Sequence, residues 1–159
     1  TPIRMIEDFD EYHRNEEIRQ KLHFFSNNNS AILKAIWTEA PFPDVDYGED
    51  QTWAKIVIEK GYKIQYCPDS TVYHSHDYGF KETFQRTLTE VVYFKNHFNY
   101  DLTKSLTCSM LGFLRAVSND FQWLIQNRCF SLMDFSKSTK ANLASNLARL
   151  YCYLERNLT

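Results

Sequence analysis

At 159 residues the chain has room for one domain, or one and a fraction, around a real hydrophobic core. A hydrophobic content of 43%, an aromatic content of 16% and only four Gly and four Pro exclude a disordered or loop-rich chain. A net charge of −2 and a pI near 6.2 give no electrostatic basis for a nucleic-acid partner.

The N-terminal "TPIRMIEDF" carries no initiator Met and no signal peptide, and reads as the cut edge of a longer protein. Residues 5–21, with mixed charges around Ile6, Phe9 and Ile18, predict a surface helix of modest amphipathicity. "HFFSNN" (23–28) predicts a short strand running into a polar turn. Ser30 is placed to cap a helix over "AILKAIWTE", which must stop before Pro41 and Pro43. A rigid "PFPDVDYG" loop then delivers the chain to an acidic pair, Glu49 and Asp50.

The next helix is the best signalled. Asp46 and Glu49 fit a capping-box spacing, Trp53, Ile56 and Val57 share a face, and Gly61 supplies the stop. "YKIQYC" (62–67) alternates as a strand and ends at Pro68, and "STVYH" (70–74) predicts a second extended piece. Helix, glycine, strand and strand end form an α/β arrangement, in which functional groups collect at helix starts and strand ends.

Beyond residue 80 the pattern is helical throughout. Phe80, Phe84, Leu88, Val91 and Phe98 form one stripe; Leu106, Met110, Phe113, Val117, Phe121 and Leu124 a second; Leu143, Leu147, Leu150 and Leu154 a third. These read as core or helix–helix contacts. The longest apolar stretch, "SMLGFLRAV", is short and broken by Arg115, so the chain is expected to be soluble or to touch a membrane peripherally. Cys67, Cys108, Cys129 and Cys152 show no CxxC and sit among apolar neighbours, which predicts buried free thiols and a reducing, cytoplasmic setting.

Two sets of residues suggest chemistry. Asp50, in a first helical turn, is stabilised as a carboxylate by free backbone N–H groups and the helix dipole, by ~0.3–1 kcal/mol, as a general base requires; it is equally a common helix stabiliser. His74 and His76 fall on one face of an extended segment, with Asp77 beside them, so "HSHD" offers up to three metal-competent side chains without completing a site.

The ordered set "FFSNNNSAILKAIW…PFPDVDYGEDQTWAKIVIEKGYKIQYCPDSTVYHSHD" resembles the C-terminal half of glycosyltransferase family 2 enzymes of the GT-A fold, and is most similar to bacterial rhamnosyltransferases. The resemblance covers residues 23 to about 90. It implies an α/β, Rossmann-like GT-A portion over residues 1–79 and a helical C-terminal extension over 80–159, mostly helical by residue count. It also implies an inverting, metal-dependent transfer from a nucleotide-sugar, such as dTDP-rhamnose, to a glycan or lipid-linked acceptor of a growing polysaccharide. On this resemblance Asp50, with Glu49, matches the "ED" motif that takes the proton of the acceptor hydroxyl. His74 matches the histidine that joins the DXD carboxylates around Mn²⁺ or Mg²⁺.

Asn28 and Asn29 either bond acceptor hydroxyls or build the turn, and Trp37 either faces a sugar or packs in the core. His76, Asp77 and Arg86 are further candidates for substrate contact, Arg86 through diphosphate charge. Residues 1–22 contain neither a nucleotide-binding strand nor a DXD motif, so the chain alone is expected to be an inactive fragment. The expected location is the cytoplasm, at the inner face of the plasma membrane, with oligomers forming through the C-terminal helices. The competing reading is a non-catalytic helical interaction or membrane-peripheral module.

Overall fold

A computed structural model describes residues 9–74 and 76–158. The described residues are mostly helical and contain no strand. Seven α-helices run in order: α1 (Phe9–Arg14), α2 (Glu16–Leu22), α3 (Lys34–Glu39), α4 (Glu49–Glu59), α5 (Phe80–Phe98), α6 (Leu106–Gln126) and α7 (Leu132–Leu158), with a 3-10 turn at Asn27–Asn29. The chain divides into two compact units, residues 1–75 and 76–159.

In the first unit, the single helix expected over residues 5–21 is two helices broken at Asn15; residues 5–8 of that expectation lie outside the described residues. Asn15 takes an extended backbone and its Oδ1 accepts from the Glu17 and Ile18 N–H groups, restarting the chain as α2. Ser30 is not a helix cap: it leaves the 3-10 turn extended, and α3 begins only after Leu33, with no side-chain cap. The helix does stop before Pro41, as the pre-proline backbone requires.

Nor does the Asp46–Glu49 capping box form. The N-cap of α4 is Gly48, in the left-handed region at φ 64°, and no side chain caps the helix. The end of α4 follows the expectation. Gly61 at φ 89° donates to Ile58 O at 2.9 Å, and Tyr62 N donates to Val57 O at 3.0 Å, the paired bonds of a Schellman stop.

The three expected strands, 23–28, 62–67 and 70–74, are absent as hydrogen-bonded elements. Alternation survives locally, since Tyr62 and Ile64 are half-buried while Lys63 and Gln65 are exposed. A strand needs a ladder partner, and none of these segments has one among the described residues, so they remain extended connectors. Their apolar faces still pack: Ile64 lies against both core clusters of the unit, one around Tyr12, Leu22 and Ile58, the other around Ala40, Trp53 and Val57. Trp53 is 4% exposed, and its indole N–H donates to Ala40 O at 2.6 Å, so the ring is buried without an orphaned donor.

The second unit is built on α7, which packs against both α5 and α6. Its buried face is made of small residues, Ala144 and Ala148 being fully enclosed, so the neighbouring helices approach closely. Thr87 of α5 bonds Ser145 at 3.2 Å, and Asp120 of α6 accepts from Ser138 and from Asn142 Nδ2, the latter at 2.8 Å. Leu143, Leu147 and Leu154, expected in helix contacts, lie on the exposed side of α7, and Leu106, Met110 and Phe121 of α6 are exposed as well. Tyr93, Phe94, Phe98 and Tyr100 close the end of α5 as an aromatic cluster, and Asn99 ends the helix at φ 56°. The thiols also depart from expectation. All four are unpaired, but Cys67, Cys108 and Cys129 are exposed and Cys152 half-buried, because they lie in turns or on outer helix faces.

Candidate functional site

The acidic pair sits where the fold brings three segments together. Asn27, in the 3-10 turn, donates from its side chain to Glu49 Oε1 at 3.1 Å and from its backbone to Asp50 Oδ2 at 3.4 Å. The Gln51 N–H donates to Asp50 Oδ1 at 2.8 Å. Two residues on, Asn29 Nδ2 donates to Ser70 O at 3.1 Å and to Ser70 Oγ at 3.0 Å. One asparagine-rich turn therefore ties the start of α4 to the connector that leads, four residues later, to His74.

Asp50 is half-buried, and burial raises its carboxyl above the ordinary carboxylate range, with the neighbouring charge of Glu49 pushing the same way. The N–H groups of Gln51 and Asn27 oppose that rise. A carboxylate raised by partial burial, yet held by donors, is a better proton acceptor than a fully solvated one. The turn is thus part of the acid's environment through Asn27, while Asn29 ties it to Ser70 and the Asn28 N–H points to Ser26 Oγ at 3.4 Å.

His74 is exposed at the end of the connector. The aromatic side chains of Tyr66 and Tyr73 stand exposed in the same segment, Tyr73 completely so. Both tyrosines fall within the stretch that carries the family resemblance, which assigns neither of them a role. Trp37 is 40% exposed and meets Phe42 edge-on at 5.0 Å, so one part of its ring is packed and another is open.

His76, Asp77 and Arg86 belong to the second unit. His76 stacks on Tyr78 with centroids 4.7 Å apart, and the Arg86 guanidinium lies 5.4 Å from the same ring and donates to the Tyr78 hydroxyl at 3.3 Å. Tyr78 is the organiser of this stack, which the motif "HSHD" alone does not reveal. The motif's Ser75 lies outside the described residues. Among the described residues no three His, Cys, Asp or Glu side chains gather to hold an ion. A divalent cation takes about six ligands, so these residues do not by themselves fit one. No helix of the described residues is long and apolar enough to cross a membrane.

Comparison with known proteins supports a glycosyltransferase relationship. The chain is similar to an O-antigen chain rhamnosyltransferase of Salmonella typhimurium, 37% identical over 73 residues, which is 45% of this chain and 23% of that protein. It is equally similar to an O-antigen chain rhamnosyltransferase of Salmonella anatum, 37% identical over 68 residues, covering 42% and 22% of the two chains. The matched stretch thus spans less than a quarter of either relative's length. No family model matches the chain, and no solved structure does.

Proposed function

We propose that this chain forms the acceptor-side part of an inverting family 2 glycosyltransferase with a GT-A fold, which transfers rhamnose from dTDP-rhamnose to a growing polysaccharide in the cytoplasm at the inner face of the plasma membrane. The similarity to two O-antigen rhamnosyltransferases carries the reading. The environment of Asp50 agrees with it. In this reaction the acceptor hydroxyl oxygen forms a bond to the anomeric carbon while the bond from that carbon to the diphosphate oxygen breaks on the opposite face. The hydroxyl proton passes to Asp50. Inversion follows because the base and the leaving group stand on opposite sides of one sugar.

Asn27 positions the base through its two contacts with the Glu49–Asp50 pair. His74 stands on the leaving-group side, with Tyr73 and Tyr66 offering faces to a base or a sugar. A divalent cation at His74 would need further ligands from beyond the residues gathered here, and no step is derived through it. In the full-length protein, Asp50→Asn should lower rhamnosyl transfer by ~10²–10⁴-fold, the usual loss for a positioned general base. Radiolabelled sugar incorporated into acceptor at wild-type rate by this variant would remove Asp50 from the chemistry.

A further inference from the structure

The second unit leaves one broad side of its helices bare, and the geometry points to a second copy of this chain as what covers it. We infer a homodimer formed by the α6–α7 face opposite α5. On α7, Leu143, Leu147, Leu150 and Leu154 follow a 4-3-4 spacing; three are 39%, 40% and 45% exposed and Leu150 is half-buried. On α6, Met110, Leu114, Phe121 and Ile125 are 62%, 59%, 42% and 52% exposed.

The helical rotation puts both stripes on one side. On α7, Ser138, Asn142 and Asn146 turn toward α6, where they meet Asp120 and Ser109. Ser145 turns toward α5, and Ala144 and Ala148 are enclosed. At about 100° per residue, the leucine stripe lies roughly 120° beyond the α6-facing side, away from α5. The same construction on α6, from Ser109 and Asp120, turns its exposed stripe to that side of the hairpin, about 120° from the α7-facing side. Two adjacent antiparallel helices therefore present one continuous apolar face.

Three features select a second copy over other occupants. The 4-3-4 spacing is that of a helix-packing seam, whose complement is another helix pair in a four-helix arrangement. The exposed side chains amount to on the order of 600 Å² of apolar surface. At the ~65% apolar share of a homodimer core, that fits a standard interface of ~800 Å² per partner. Finally, Arg115 and Asp120 are the only charges in α6, and Asp120 is occupied by Ser138 and Asn142. Among the charges of α7, Lys140 alone lies within about 60° of the leucine stripe, so the face meets its two-fold copy with a single lysine per copy at its edge.

Sedimentation equilibrium of the full-length protein over a wide concentration range tests this. The wild type should show reversible mass doubling, retained by Leu147→Ile. The double variant Leu114→Glu with Leu147→Glu should raise the dissociation constant ~100-fold or more, with its helical circular dichroism unchanged. Hydrogen exchange on the wild type supplies a reading that needs no variant: protection across residues 143–154 should rise with concentration. A protein that stays monomeric overturns the inference, whether it then floats with anionic vesicles or covers the face with another part of its own chain. So does a double variant that dimerises as the wild type does, or protection in 143–154 that ignores concentration.

Discussion

His23 and Tyr12 are each 1% exposed, and the Tyr12 hydroxyl lies 2.6 Å from His23 Nε2 and 3.5 Å from Glu59 Oε1. Burial, reinforced by the charges of Lys55 and Arg19, holds the His23 pKa down at about 4. The unfolded chain regains a value near 6.5, so between these limits it binds more protons than the folded protein. Stability is accordingly full above pH 6.5 and falls as the pH drops toward 4, by up to about 3 kcal/mol from this group. Urea titrations of wild type and His23→Gln at several pH values should show the wild type losing the extra stability in that window; parallel curves would mean that His23 is protonated without cost. Neither role of this pair is visible in "HFFSNN", which reads as strand, because burial of a histidine depends on a partner eleven residues away.

At the scale of elements, α7 is governed by its small residues. Ala148 is fully enclosed, whereas Leu147 beside it is 40% exposed. Ala148→Leu should therefore cost ~1–3 kcal/mol by overpacking the helix contact, and Leu147→Ala, measured at protein concentrations low enough to keep one copy, less than ~1 kcal/mol. Thermal melts that rank the two the other way would invert the assignment of faces. Helix existence was legible from 3.6-residue periodicity, and α4 to α7 lie where the pattern puts them. Which face is buried was not legible: leucines mark an apolar stripe whether the partner is within the chain or outside it, and the alanines that do pack carry no strong hydrophobic signal. The strands failed for a related reason. Alternation in "YKIQYC" reports one packed and one open side, which Tyr62 and Ile64 satisfy, but it does not supply a ladder partner. Gly61 was legible because its left-handed backbone leaves a local signature in the sequence.

For the whole molecule, the site combines what local pattern reveals with what it cannot. The Glu49–Asp50 pair and His74 stand out in the sequence through a family resemblance, while the bonds of Asn27 to that pair and of Asn29 to Ser70 are tertiary facts. His76 and Arg86 are gathered by Tyr78, in a separate compact unit from Asp50 and His74. The proposed reaction gives Asp50 and His74 of the first unit opposite duties, the one toward the acceptor and the other toward the donor. Calorimetric titration of dTDP-rhamnose into the full-length protein and its Asp50→Asn and His74→Ala variants separates the two duties. Asp50→Asn should keep wild-type donor affinity, and His74→Ala should weaken it roughly tenfold or more, on the scale of one lost charge-assisted contact. Donor affinity lost in Asp50→Asn and unchanged in His74→Ala would contradict that division of duties.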